Sequence, residues 1–156
     1  SFRIKGKKLL LVGGGYGVVP LYFLAATLPA VKRKYVTVII GAKTKNELPF
    51  TAKFRKLGCT VAVSTDDGSK GFKGYSTALA EKLLAAQHFA GIYTCGPEIM
   101  MKKVAQLAKN NKTFCQVSIE RQFKCGGIGL CGECSFNGRI VCKEGPIFAG
   151  RVLLSK

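Results

Sequence analysis

No residue between Lys8 and Lys32 carries a charge. A run of that length either crosses a bilayer or is buried inside a folded domain. Its punctuation decides the matter. Gly13-Gly14-Gly15-Tyr16-Gly17 falls after the wholly apolar Leu9 to Val12, and Pro20 and Pro29 bracket the remainder. Apolar residues without alternation predict a strand covered on both faces, as in a parallel sheet. Pro20 suits the first turn of a helix, and Pro29 stops one. The segment therefore predicts strand, glycine turn and helix to about Leu28, with no membrane span. Such a unit leaves backbone N–H groups and the positive end of the helix dipole facing the turn, which suits an anion. The G-x-G-x-x-G fingerprint is incomplete, because its third glycine position holds Val18.

The pattern then repeats. Val36 to Ile40, Thr60 to Ser64, Gly91 to Thr94 and Thr113 to Ile119 read as further buried strands. Between them lie helices over about Leu48 to Leu57, Ser76 to Ala86, and from after Pro97 to about Lys109. Phe50, Phe54 and Leu57 share one face of the first of these, with Gly58 as its cap. Leu79 and Leu83 face inward on the second, and Ile99, Met100, Val104 and Leu107 are the packing positions of the third. Strands alternating with helices predict an α/β fold, a doubly wound five-stranded parallel sheet.

Loops at the carboxyl ends of such strands hold ligands. The second strand ends in Gly41-Ala42-Lys43-Thr44-Lys45, without the acidic residue that usually receives a ribose hydroxyl. The third delivers Asp66 and Asp67, which suit either ribose hydroxyls or turn chemistry. The fourth delivers Cys95-Gly96-Pro97. A thiol where a strand end meets a helix N-terminus is expected to have a lowered pKa, unless burial governs it. Cys59 and Cys115 read as core, and His88 has no nucleophile or carboxylate motif beside it.

Beyond about Glu120 the periodicity ends. Cys125-Gly126-Gly127-Ile128-Gly129-Leu130-Cys131-Gly132-Glu133-Cys134 is followed by Cys142, a C-x5-C-x2-C-x7-C spacing. Four thiolates suit an iron–sulfur cluster or zinc. Glycines at 126, 127, 129 and 132 let a loop curl with its N–H groups toward bridging sulfide, which favours a cluster. Zinc sites usually present two C-x2-C pairs, and only one is present here. A zinc-stabilised nucleic-acid-binding module and unligated thiols remain the alternatives.

The formal charge of +17 invites nucleic acid, but the lysines are scattered and no nucleic-acid module is visible. An acidic partner suits that surface better. Seven cysteines, an odd count, without a signal peptide point to the cytoplasm rather than to a secreted disulfide framework. The chain opens on Ser1 without Met and is expected to be part of a longer or processed polypeptide.

Together, Gly13 to Leu21, Thr65-Asp66-Asp67-Gly68-Ser69 and Thr94-Cys95-Gly96-Pro97-Glu98 resemble the nicotinamide-binding domain of the ferredoxin–NADP reductase family. The stretches from Ser118 to Cys125 and from Val141 to Phe148 resemble the electron-transfer subunits of type B dihydroorotate dehydrogenases. The resemblance implies an NAD-binding domain over 1–119 and a [2Fe–2S] domain over 120–156, with the family's FAD-binding barrel missing from this chain. It implies cluster ligation by Cys125, Cys131, Cys134 and Cys142. Gly14, Gly15, Gly17, Val18 and Pro20 would approach the NAD pyrophosphate, with Asp66 and Asp67 near the adenosine ribose. Cys95, Gly96 and Pro97 would lie near nicotinamide and FAD. The implied partner is an FMN-containing dihydroorotate dehydrogenase catalytic subunit, in a heterotetramer serving pyrimidine biosynthesis. Diaphorase-like subunits of sulfhydrogenases, anaerobic sulfite reductase and ferredoxin–NADP transhydrogenases are similar. One departure stands out: five residues rather than the family's usual four separate Cys125 from Cys131.

Overall fold

The computed structural model of the chain describes residues 1–154; the last two residues of the expected cluster domain lie outside that range. Strand β1 (Leu9–Gly14) is central, and its first four residues are fully buried. A 3-10 turn (Gly15–Gly17) leads into α1 (Val18–Thr27), and a short α2 (Ala30–Arg33) follows Pro29. Then come β2 (Val36–Ala42), α3 (Thr51–Lys56), β3 (Thr60–Thr65), the two-residue β4 (Phe72–Lys73) and α4 (Ser76–Ala86). The series closes with β5 (Gly91–Cys95), α5 (Glu98–Asn110) and β6 (Phe114–Ser118). The cysteine segment adds the hairpin β7 (Ser135–Phe136) and β8 (Arg139–Ile140), the short α6 (Val141–Glu144) and β9 (Ile147–Ala149).

The five expected strands form a parallel array in the order β3-β2-β1-β5-β6, extended by β4 at one edge and β9 at the other. Only β9 runs antiparallel, pairing Ile147 with Ser118 and Ala149 with Gln116. The sheet is doubly wound. Leu9, Leu11, Val38 and Ile40 face α1 and Phe54 on one side, while Leu10, Val12, Ile39 and Ile92 face α4 and α5 on the other. Among the described residues no helix is long and apolar enough to cross a membrane.

Three local expectations change. The helix expected from Leu48 begins only at Thr51, because Pro49 pushes its predecessor out of the helical region. Leu48 is extended (φ −81°, ψ 97°) and Phe50 takes φ 61°. Phe50 and Phe54 nevertheless pack on Tyr22, each with ring centroids 5.3 Å apart. In α4 the buried leucines are Leu79 and Leu84 rather than Leu83, and in α5 the buried positions are Met101, Val104, Ala105 and Ala108. Ile99, expected to pack, is 75% exposed.

A third apolar cluster joins the cysteine segment to the domain. Cys134, Phe136, Val141 and Phe148 pack with Met101, Ala105, Val117 and Leu153. Arg121 reinforces this junction by pairing with Glu98 at the start of α5 at 3.1 Å and lying 5.0 Å over the Phe136 ring.

Candidate dinucleotide and cluster site

The strand order reverses at β1, which pairs with β2 on one side and β5 on the other. Crevices at carboxyl ends of strands form at such a reversal. Gly13 pairs with Cys95 there, so the glycine turn and the Cys95-Gly96-Pro97 loop lie side by side. A Cβ built on Gly17 would overlap the Cys95 carbonyl oxygen and lie 2.6 Å from its carbon and 2.7 Å from the Gly96 Cα. Only glycine lets these two backbones meet. No side chain caps the start of α1, whose first N–H, that of Val18, is taken up by the Gly15 and Tyr16 carbonyls. Val18 does not face this crevice: it is fully buried in the core.

Two cavities share Gly14 and Pro97. The first, of about 380 Å³, is lined on its far side by Lys43, Glu47, Asp66, Tyr75 and Ser76, and above by Ile99 and Met100. Asp66 and Asp67 separate here. Asp66 lines the cavity, whereas the Asp67 carboxylate accepts hydrogen bonds from the Ser69 N–H at 2.9 Å and hydroxyl at 2.6 Å. Those two bonds hold its carboxyl below the ordinary range. Next to Gly41, which lines this cavity, the Ser64 hydroxyl is buried without a hydrogen-bond partner. Glu47 and Tyr75 escaped the sequence reading, and Ile99 was read as packing, because only the tertiary arrangement brings them to one cavity.

The second cavity, of about 480 Å³, is lined by Tyr16, Gly17, Pro20, Cys95, Gly96 and Glu120, among others. Cys95 is fully buried. Its thiol is pushed up to about 12, first by burial and then by the neighbouring Glu120 carboxylate. The expected lowering at a helix end fails because α5 begins only at Glu98, and desolvation outweighs a dipole three residues away. Glu120 accepts a hydrogen bond from the Ser118 hydroxyl at 2.8 Å, with the Cys95 sulfur 4.0 Å from the same oxygen. A thiol with a raised folded pKa leaves stability intact below its ordinary value near 9 and lowers it as pH rises toward about 12. Denaturant unfolding across that window should therefore show a steeper loss for the natural chain than for Cys95→Ala. Equal slopes would show that the thiol is not shielded.

In the cysteine segment, Gly126, Gly127, Gly129 and Gly132 have φ of 67°, 86°, 82° and 71°, the conformation that the loop's curl demands. The curl aims the backbone N–H groups of Cys131, Leu130 and Gly129 at the Cys125 sulfur, which lowers that thiol to about 6. Cys142 donates its N–H to the Cys134 sulfur at 3.4 Å, and burial, followed by Cys134 itself, raises the Cys142 thiol. Lys124 and Glu133 close the loop with a 2.8 Å ion pair. Among the described residues no group of three or more His, Cys, Asp or Glu is placed to hold a metal ion. Cys125 lies beside Cys131, Cys134 lies beside Cys142, and Cys142 also senses Cys125. Four thiols in one neighbourhood fit the soft-ligand chemistry of an iron–sulfur cluster.

No family model matches the sequence. The Methanocaldococcus jannaschii protein described as a probable dihydroorotate dehydrogenase B (NAD(+)), electron transfer subunit, is 45% identical over 152 residues, covering 96% of this chain and 58% of that protein. The Pyrococcus furiosus protein of the same description is 39% identical over 156 residues, covering 99% of this chain and 60% of its own length. The chain thus spans less than two thirds of either relative. Among solved structures, an NADH-dependent reduced ferredoxin-NADP oxidoreductase, described in the context of flavin-based electron bifurcation, has a TM-score of 0.77 at 33% identity, over 92% of this chain and 52% of that one. The C-terminal domain of a Pyrococcus furiosus hydrogenase, with a TM-score of 0.59 at 15% identity over 75% of this chain and 94% of that one, shares the fold.

Proposed function

This chain is homologous, along nearly all of its length, to electron transfer subunits of dihydroorotate dehydrogenase B, and we propose that it carries the NAD side of such a relay. Electrons would pass from the FMN of a dihydroorotate dehydrogenase catalytic subunit, through a [2Fe–2S] cluster and FAD, to NAD+. The observation that carries this reading is convergence: Gly14, Cys95 and Glu120 line one cavity, so the glycine turn, the β5 loop and the first residue of the cysteine segment meet at a single point.

Each part of the chain has a separable task. The glycine turn suits a pyrophosphate, and the cavity lined by Asp66 and Tyr75 suits an adenosine. Pro97 and Gly14 belong to both cavities, so a dinucleotide running from one to the other would present its nicotinamide beside Cys95 and Gly96. Cys125, Cys131, Cys134 and Cys142 would hold the cluster, and the buried Cys95 thiol, with Glu120 beside it, would border the nicotinamide end. The bound cofactors supply hydride and single-electron chemistry, while the protein contributes position and exclusion of water. Residues 1–119 form the dinucleotide-binding part in this reading, and the cluster-binding part begins at residue 120. Seven unpaired thiols suit a reducing cytoplasm, and the formal charge of +17 suits an acidic partner in a heterotetramer.

The test is NAD+ reduction by dihydroorotate in the anaerobically assembled complex, together with iron and acid-labile sulfide analysis. About two of each per chain are expected. Stoichiometric zinc without sulfide would overturn the cluster. A complex that reduces NAD+ only from hydrogen, sulfite-linked donors or reduced ferredoxin would move the assignment to the sulfhydrogenase, sulfite reductase or transhydrogenase relatives.

A further inference from the structure

The loop after β2 carries no acid at the strand end, yet it returns one to the cavity. Thr44 is extended, and the 3-10 turn over Lys45–Glu47 then doubles back, so that Glu47 lines the same cavity as Asp66. Two of the chain's eight acidic residues thus face one small cavity, in a molecule whose formal charge is +17. The turn is held in place from the neighbouring loop. The Lys45 N–H donates to the Ser69 hydroxyl oxygen at 2.8 Å, and that hydroxyl donates to Asp67 at 2.6 Å. Backbone bonds from Asp66 N–H to the Ala42 carbonyl at 3.1 Å and from Asp67 N–H to the Lys43 carbonyl at 3.2 Å join the two loops at their base.

We propose that Glu47 is a specificity-determining residue, a second carboxylate beside Asp66 that accepts the adenosine ribose hydroxyls of NAD and rejects a 2′-phosphate, and that Asp67 and Ser69 are positioning residues for it. The proposal rests on the reading of this cavity as the dinucleotide site. In dinucleotide-binding sheets an acid after the second strand receives the ribose hydroxyl; here the same task falls to a residue five positions beyond the strand. Specificity needs this local device. A strongly basic protein attracts the more highly charged NADPH over NADH through its long-range field. Lys43, on the same wall, adds to that attraction. Like charges brought together at the ribose reverse the preference. Glu47 also borders the neighbouring hollow beside Gly15 and Tyr16, between the adenosine end and the glycine turn.

Fluorescence titration of the intact subunit with NADH and with NADPH tests this directly. The natural protein should bind NADH at least about tenfold more tightly than NADPH. Glu47→Gln, an exposed and nearly isosteric change, should tighten NADPH about tenfold while leaving NADH within about threefold. Ser69→Ala should shift the ratio in the same direction by less, because it frees the turn without removing the charge. If both nucleotides bind and Glu47→Gln leaves their ratio unchanged, the specificity role is overturned and the cavity assignment stands. If the natural protein binds neither, the cavity assignment itself falls and the proposal falls with it.

Discussion

Replacing Cys134 with serine should leave less than about a tenth of the iron and sulfide bound by the natural chain, because a hydroxyl is a hard, weakly acidic ligand where the cluster needs a soft thiolate. The position also resists compensation. Cys134 is 1% exposed and its sulfur accepts the Cys142 N–H, so water has little access to the vacated place. Cys131, exposed at the rim, offers a milder comparison, and Cys59→Ala, in the core on the other side of the sheet, should keep its full iron. In the assembled complex, Cys134→Ser should abolish NAD+ reduction by dihydroorotate while dye-linked oxidation by the partner persists. Retention of both activities would take the cluster off the electron path. Equal iron loss in Cys59→Ala would show that instability, not ligation, sets the metal content.

Gly17→Ala should cost about 3 kcal/mol of stability, at the upper end of what overpacking a rigid contact costs, and weaken NADH by well over tenfold. The added methyl would lie against backbone on both sides, the carbonyl of Cys95 and the Cα of Gly96, neither of which rotates away as a side chain would. Since Gly13 and Cys95 are register partners, moving one loop means breaking the pairing of β1 with β5. Gly15→Ala separates space from conformation. Gly15 has φ 54° with nothing within 4 Å of its would-be Cβ, so only the left-handed backbone is strained, at about 1 kcal/mol. Urea unfolding of the two variants should rank Gly17→Ala as clearly the worse. Similar losses would mean that the turn gives way and the two backbones are not locked together.

The parallel array was legible because its strands are written in runs that serve one purpose. Leu9 to Val12 and Val36 to Ile40 are apolar at nearly every position, which suits only a strand covered on both faces. Proline and glycine then marked the helix ends, except at Pro49, where the constraint on Leu48 delayed the helix to Thr51. Strand β9 was not legible, since three residues acquire strand character only from pairing with β6. The same reason hid Glu47. Its sequence neighbourhood is Lys45-Asn46-Glu47, an ordinary polar loop, and its placement comes from the bond of the Lys45 N–H to Ser69 in the neighbouring loop. Asp66 and Asp67 could not be told apart as adjacent letters; the structure sends one to the cavity and the other to its own turn. Cys95 was misjudged in acidity because the number of atoms packed around a thiol is a long-range property.

The cysteine segment leaves the sheet and returns to it at nearly the same place. The Ile119 N–H donates to the Pro146 carbonyl at 2.8 Å, and the next residues of both arms pair as β6 and β9. In topological terms the cysteine stretch is an excursion with a closed neck, of the kind that can be exchanged between hosts without rethreading the scaffold. What limits its portability is the plug beneath it. Phe136, Val141 and Cys134 need the Met101 and Ala105 face of α5, so a transplanted neck would keep its fold only on a host helix that presents the same hollow.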